Sequence, residues 1–139
     1  MMALEFDITY DPGAEETGRL AAGLKSHAKP YVDHDGFESV AVFVREEDRI
    51  LGGVSGKLNW NWLQISLLWV DDSLRGGGYG ARLMGEIESL ARERGCQQAH
   101  VDTFSFQARE FYESLNYHVF ATLDDYPPGH ARYYLRKTL

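Results

Sequence analysis

Six consecutive residues at positions 75–80, Arg-Gly-Gly-Gly-Tyr-Gly, are the part of the sequence best suited to bind an anion. They lie between an apolar run, Leu63–Val70, and an amphipathic pattern, which places them at a strand–helix junction. A helix that begins there presents unpaired N–H groups and the positive end of its dipole. The glycines let a phosphate approach the backbone, and Arg75 adds a fixed positive charge. The sequence predicts a phosphate-binding loop, and the alternative is a glycine-rich turn that only packs the helix against the strand.

The type of phosphate ligand is narrowed by what surrounds the glycines. A Lys-Ser or Lys-Thr pair does not follow them, so the loop is not a P-loop. The spacing of Gly76, Gly78 and Ala81 matches a loose dinucleotide fingerprint, with Asp102 near the position of a ribose-binding acid. However, Asp71–Arg75 separate the strand from the glycines, and antiparallel strands precede the unit. The context therefore disfavours a dinucleotide-binding module.

The elements that must position this loop follow from apolar periodicity and from turn residues. The amphipathic pattern after the glycines puts Leu83, Met84 and Ile87 on one helical face and Glu88 on the charged face, and Gly95 ends that helix. Ser105 is expected to cap a second, short helix, and Asn116 is expected to take the left-handed conformation at its end. The complete order is a strand at 4–10, a helix at 14–28, a turn at 33–36, strands at 38–45, 50–58 and 63–70, a helix after the glycines, a strand at 99–104, a short helix, and strands at 117–123 and 132–137.

This order predicts a mixed α/β sheet. The connection between the strands at 63–70 and 99–104 passes through a helix, which requires a parallel pair, whereas the earlier hairpins are antiparallel. With 139 residues, 44% hydrophobic and 25% charged, the chain is expected to form a single domain over residues 1–139.

Composition also narrows the partners. A net charge of −7 argues against sequence-independent nucleic-acid binding and favours cationic ligands. Cys96 is the only cysteine, so an intrachain disulfide and a thiolate metal cluster are excluded, and the histidines are scattered without ligand spacing, so no metal is expected. No signal-like start and no apolar run of about 20 residues is present, which predicts a cytoplasmic protein without membrane contact. Exposed strand edges near the termini are compatible with a homodimer.

Two motifs in the sequence resemble those of the GNAT acetyltransferase superfamily. Arg75, Gly78 and Gly80 match the defining positions of its Arg/Gln-x-x-Gly-x-Gly/Ala motif. Residues 105–117, SFQAREFYESLNY, are similar to its second signature, with Ser105 in place of Asn and Asn116 in place of Gly. The element order agrees along nearly the whole chain. The resemblance implies a mostly antiparallel mixed sheet with a splayed parallel strand pair and about three helices.

The resemblance also implies that acetyl-coenzyme A binds where the parallel strands splay apart. Backbone groups around Leu68 and Val70 are expected to pair with the pantetheine amides like an added strand, and the glycine loop to hold the pyrophosphate. The implied cosubstrate-binding residues are Leu68, Trp69, Val70, Arg75, Gly76, Gly77, Gly78, Tyr79, Gly80, Ala81, Ser105, Ala108 and Tyr112.

The resemblance assigns two catalytic groups. Tyr112 occupies the position of the tyrosine that superfamily members often use to protonate the leaving thiolate; the alternative is a core tyrosine. The Val70 N–H is expected to stabilise the oxyanion. The base is open, because Gln64 stands where several relatives carry a glutamate. The candidates for this base are Asp102, Asp125 and His130.

The acceptor side is expected to be lined by aromatic residues, namely Trp60, Trp62, Tyr126 and His130. Aromatic rings near Asp124 and Asp125 suit a cationic amine, although the same residues would also serve to pack loops. The predicted activity is transfer of an acetyl group to a primary amine of a small molecule. The alternatives are a protein N-acetyltransferase and a non-catalytic sensor that binds coenzyme A.

Overall fold

The computed structural model describes residues 2–33 and 37–139, of which 2–33 belong to one compact unit and 37–139 to another. Among these described residues, the second unit contains six strands and two α-helices, and the first contains one α-helix. The elements of the second unit are β1 (Glu38–Glu46), β2 (Arg49–Asn59), β3 (Trp62–Val70), α2 (Tyr79–Glu93), β4 (Gln98–Phe104), α3 (Arg109–Ser114), β5 (His118–Asp124) and β6 (Ala131–Thr138). The first unit holds α1 (Ala14–Ala28).

The sheet has the strand order β1-β2-β3-β4-β6-β5. Only β3 and β4 are parallel, and every other neighbouring pair is antiparallel. Because α2 connects β3 to β4, this is the helical crossover that a parallel pair requires. The predicted mixed, mostly antiparallel sheet with one parallel pair is confirmed.

The parallel pair opens into a fork. Pairing between β3 and β4 is limited to Trp62 with Gln98, Leu63 with Ala99 and Gln64 with His100, although β3 continues to Val70 and β4 to Phe104. The splaying of these two strands, which the family resemblance implies, is therefore confirmed.

A β-bulge lies at the start of the fork. Ile65 pairs with Gly56 and Leu67 with Ser55, which leaves Ser66 as an extra residue on β3. A bulge bends the strand that carries it. A Cβ atom on Gly56 would lie 2.6 Å from the Gln64 carbonyl oxygen, so glycine is needed where β2 passes this bend.

The core lies between α2 and the face of the sheet that it covers. Its most deeply buried side chains are Val54, Leu63, Met84, Ile87 and Leu135. Cys96 is also buried, and burial raises the pKa of its thiol.

Among the described core residues, Glu88 is the one carboxylate, and it is 4% exposed. The Tyr117 hydroxyl donates to Glu88 Oε2 at 2.8 Å, and Lys137 Nζ lies 2.8 Å from Oε1. The prediction that Glu88 belongs to the exposed charged face is wrong, because Tyr117 and Lys137, which are distant in the sequence, bind it in the core. Arg92, one turn along α2, lies 3.8 Å from Oε1. Burial is tolerated because both carboxylate oxygens are paired.

The first unit differs from expectation before α1. The helix itself has the predicted bounds, and the Gly13 N–H donates to the Glu16 side chain at 3.0 Å. Residues 2–9 contain no strand, so the predicted strand at 4–10 is wrong. Alternating apolar residues permit a strand, but a strand forms only where a neighbour pairs with its backbone. Residues 34–36 of the predicted turn at 33–36 lie outside the described residues.

The start of α3 also differs from expectation. Its N-cap is Ala108, so the prediction that Ser105 caps this helix is wrong. Ser105 Oγ instead accepts from the Ala131 N–H at 3.1 Å, which ties the end of β4 to β6. Asn116 has φ 73° after α3 and Gly95 has φ 88° after α2, so both predicted left-handed residues are confirmed. In the described residues no helix combines the length and apolarity that crossing a bilayer would take.

Candidate active site

The glycine loop forms an open cradle at the start of α2. Gly76 and Gly78 have φ values of 82° and 75°, and a Cβ atom at either would meet nothing within 4 Å. Gly78 is the N-cap of α2, so the first backbone N–H groups of the helix have no partner within it. Arg75 lies beside them and forms an exposed ion pair with Asp72 at 2.8 Å. The arrangement suits an anion that approaches the backbone from solvent.

A cleft of about 440 Å³ joins this loop to β3 and α3. Its walls are formed by Leu68, Trp69, Val70, Leu74, Arg75, Gly76, Gly78, Tyr79, Gly80, Ala81, Ala108 and Phe111. Most of the predicted cosubstrate residues are thereby brought together, whereas Gly77, Ser105 and Tyr112 are outside this lining. Two residues, Leu74 and Phe111, were not predicted from the sequence to line the cleft. A Cβ on Gly80 would lie 3.2 Å from the Phe111 ring, so that glycine lets α2 approach α3.

The edge of β3 inside the fork has free backbone groups. The Asp71 N–H donates to the Leu51 carbonyl on β2 at 2.8 Å. Since the peptide groups of alternate residues point to the same side of a strand, those of Leu68 and Val70 point away from β2, toward the fork. No β4 residue pairs with them. An extended ligand with amide groups can therefore add to this edge.

Tyr112 lies in α3 with its ring in the core. It is 6% exposed, and its ring contacts those of Phe111 and Tyr117 with centroid separations of 5.3 and 5.9 Å. None of the hydrogen bonds among the described residues involves its hydroxyl. Because no fully buried side-chain oxygen there is unpartnered, this hydroxyl reaches accessible space. Burial, with a smaller effect of Asp102, raises the pKa of Tyr112 to about 12, so its proton is retained at neutral pH.

Asp102 lies on the opposite face of the sheet from α2, beside the fork. Its neighbours in β4, Val101 and Thr103, are buried in the core, so alternation directs Asp102 to the other face. Arg132 Nε and Nη2 lie 2.7 and 2.5 Å from Asp102 Oδ2. The guanidinium also lies 5.3 Å from each of the ring centroids of Phe104, Tyr126 and Tyr134.

The other two candidate bases are engaged in loop structure. Asp125 Oδ1 accepts from the Gly129 N–H at 2.9 Å, which closes the β5–β6 turn. His130 Nδ1 lies 3.3 Å from Ser105 Oγ. Gln64, at the last residue pair before the fork, accepts a hydrogen bond from Asn59 Nδ2 at 3.4 Å. Of the three candidates, Asp102 alone lies on a strand that forms the fork.

The predicted acceptor residues fall into two groups. Tyr126 packs on Phe104, and His130 packs on Phe106, near the open end of the fork. Trp60 and Trp62 lie at the other end of β3, where Trp62 pairs with Gln98 at the start of β4. The length of β4 separates the groups by about 20 Å, at roughly 3.3 Å per residue. The structure therefore does not bring all four residues to one pocket.

The sequence is similar to a protein family and to two individual acetyltransferases. A sequence model described as the acetyltransferase (GNAT) family matches residues 5–117. Blasticidin-S acetyltransferase from Streptomyces morookaense is 43% identical over 95 residues, which cover 68% of this chain and 70% of that protein. Acetyltransferase Atu2258 from Agrobacterium fabrum (strain C58) is 31% identical over 97 residues, which cover 69% of this chain and 71% of that protein.

A solved structure agrees with the fold over almost its full length. The crystal structure of an acetyltransferase from Bacillus cereus ATCC 14579 superposes with a TM-score of 0.84 and 34% sequence identity. The match covers 96% of this chain and 98% of that chain.

Proposed function

The chain belongs to the acetyltransferase (GNAT) family, and on that premise we propose that it transfers an acetyl group from acetyl-coenzyme A to a primary amine of a small molecule. The observation that carries this proposal is the 440 Å³ cleft in which the glycine loop, the free edge of β3 and the start of α3 meet. A cytoplasmic location is part of the same proposal.

The residues of the cleft fit the acetyl donor of this family. Unpaired N–H groups at the start of α2 suit the pyrophosphate, and the open space at Gly78 leaves the backbone accessible. The peptide groups of Leu68 and Val70 suit the amides of the pantetheine arm. When bound, acetyl-coenzyme A supplies the acetyl group as an activated thioester.

Tyr112 and Val70 are proposed to act on the leaving and carbonyl ends of that thioester. The Tyr112 hydroxyl carries a proton at neutral pH and has no partner among the described residues, so it can protonate the departing sulfur. The Val70 N–H points toward the fork and can donate to the carbonyl oxygen as negative charge develops there.

Asp102 is proposed to receive the amine. A primary ammonium has a pKa of about 10.4, so the nitrogen must lose one proton before it attacks and a second as the amide forms. A carboxylate that faces the fork from β4 attracts the ammonium and can accept a proton from it. One of the two protons replaces the one that Tyr112 gives to sulfur, and the other goes to solvent.

The experiment that tests this function is release of free thiol from acetyl-coenzyme A in the presence of amines. The panel contains blasticidin S, which appears in the name of the Streptomyces relative, together with polyamines, an aminoglycoside and peptides with a free N-terminus. Release with a small amine supports the proposal, and preference for peptides would favour a protein N-acetyltransferase. Binding of coenzyme A without release for any amine would favour the sensor.

A further inference from the structure

Arg136 on β6 is a cation held between aromatic rings without an anionic partner. Its guanidinium carbon lies 5.1 Å from the centroid of the Trp62 ring and 6.0 Å from that of Phe120. Among the described residues it forms no ion pair and no hydrogen bond through its side chain. Rings that pack on a guanidinium leave its in-plane N–H donors for another partner. Arg136 is therefore an oriented cation with unused donors.

The charges around Arg136 do not provide that partner. One row of residues crosses the sheet on the face opposite α2, and it contains no carboxylate: Ser39, Lys57, Gln64, His100, Arg136 and His118. Burial lowers the pKa of His100, against a smaller opposite effect of Asp102, so this imidazole is neutral at physiological pH. The row therefore carries the positive charges of Lys57 and Arg136 and no negative charge of its own.

Arg136 is also close to the place where the amine is proposed to react. It pairs with His100, and His100 pairs with Gln64 at the last position before the fork. Asp102 pairs with Tyr134, two residues from Arg136 on the same face. Diagonal neighbours of this kind in a sheet are separated by about 7–8 Å. The Asp102 carboxylate can bind an ammonium and the Arg136 guanidinium can bind an anion. The two groups are therefore close enough to be bridged by one short molecule.

From this juxtaposition we infer that Arg136 binds a carboxylate of the acceptor, and that the acceptors are amines that carry a carboxylate several bonds from the reacting nitrogen. The inference rests on the proposed function, because it assigns the acceptor to this face of the sheet. Asp102 attracts the ammonium end and Arg136 takes the anionic end through paired N–H donors. The rings of Trp62 and Phe120 hold the guanidinium in place for that contact.

The test uses 6-aminohexanoate and its methyl ester, which replaces the carboxylate charge with one methyl group. We expect the KM of the acid to be about ten- to a hundredfold below that of the ester, the range of a hydrogen-bonded charge pair. Arg136→Gln should raise the KM of the acid toward that of the ester and leave the ester unchanged. Arg136→Lys, which keeps the charge, should retain part of the preference.

The matched control is Arg45→Gln. Arg45 also packs on a ring, that of Phe43 at 5.1 Å, but it lies on the edge strand β1, away from the fork. This variant should leave the acid–ester ratio unchanged. Unfolding midpoints of all variants separate a lost contact from a lost fold.

Equal KM values for acid and ester in the wild type, or an unchanged preference in Arg136→Gln, would overturn the inference while thiol release still supports the acetyltransferase function. If neither probe releases thiol, calorimetric binding of 6-aminohexanoate to wild type and Arg136→Gln decides the inference without catalysis. Equal binding, or none to the wild type, rejects it, and weaker binding to the variant supports it.

Discussion

Arg132 holds Asp102 through a single carboxylate oxygen. Both the Nε and the Nη2 contacts, at 2.7 and 2.5 Å, are made to Oδ2. Tyr126 limits the movement of the guanidinium further, because its hydroxyl accepts from Arg132 Nη1 at 3.1 Å. The Asp102 carboxylate is thus fixed in orientation, and its Oδ1 has no partner among the described residues. An ammonium that enters from this face finds an oriented acceptor.

The first prediction concerns the charge on Asp102. Asp102→Asn keeps the size of the side chain but cannot accept a proton, so kcat/KM for the amine should fall by about a hundredfold or more. Calorimetry should give unchanged affinity for coenzyme A. Arg132→Lys, which keeps a cation beside Oδ2, should have a smaller effect than Asp102→Asn. An Asp102→Asn variant with wild-type kcat/KM would show that the base is elsewhere.

Tyr112→Phe tests whether the Tyr112 hydroxyl donates the proton to the leaving sulfur. The ring and its packing are kept, so fold and coenzyme A affinity should change little, whereas loss of the proton donor should reduce turnover by about 10²–10⁴-fold. The pKa of about 12 means that the hydroxyl stays protonated at every pH below about 11. Raising the pH from 7 to 10 should therefore not abolish turnover through this group. Wild-type turnover in the variant would assign Tyr112 to the core alone.

Backbone access at the glycine loop sets the third prediction. Gly78→Asp has space for its side chain but places a negative charge at the proposed pyrophosphate position, so coenzyme A affinity should fall at least tenfold. Gly78→Asn is the control, because it carries the same backbone strain at φ 75° and a side chain of nearly the same size without the charge. Calorimetry on the two variants compares a charged and an uncharged side chain at one site. Equal affinities would place the pyrophosphate elsewhere.

The buried carboxylate predicts a stability effect. Tyr117→Phe should lower the free energy of unfolding by about 1–3 kcal/mol, because Glu88 loses a donor. Lys137→Met should cost more, about 3–5 kcal/mol, since it removes the nearest opposite charge. Urea unfolding measures both. A Lys137→Met variant as stable as the wild type would show that Glu88 is neutralised in another way.

The pH dependence of stability provides an independent check on Tyr117. Burial and the hydrogen bond to Glu88 raise the pKa of this hydroxyl, so the folded chain holds its proton more tightly than the unfolded chain. The stabilisation is complete below pH 10, the ordinary tyrosine value, and declines as the pH rises above it. In the Tyr117→Phe variant, the free energy of unfolding should fall less steeply above pH 10, by the contribution of one titrating proton.

Those parts of the site that depend on local sequence could be predicted, and those that depend on register could not. The glycine loop is defined within a few residues, and a helical crossover alone requires the parallel pair. The separation of Trp60 from His130 depends on where β3 meets β4, which no local pattern encodes. The burial of Glu88 could not be predicted for the same reason, because its partners Tyr117 and Lys137 lie outside α2.

The missing strand at residues 4–10 has a related cause. Its alternation satisfies the side-chain requirement for a strand, yet hydrogen bonding to a neighbouring strand is a property of the assembled sheet. Conversely, Asn116 was predictable because a left-handed residue after a helix is a local requirement.

The fork divides the sheet into two three-stranded ribbons, β1-β2-β3 and β4-β6-β5, which pair with each other at three residue positions. A ligand that adds to the inner edge of β3 and contacts α3 would link the two ribbons where their strands do not pair. Donor binding should then raise the melting temperature and slow amide hydrogen exchange on both ribbons, not only beside the glycine loop. The cosubstrate would thus stabilise the fold while it is bound, and the release of coenzyme A after each turnover would remove that stabilisation.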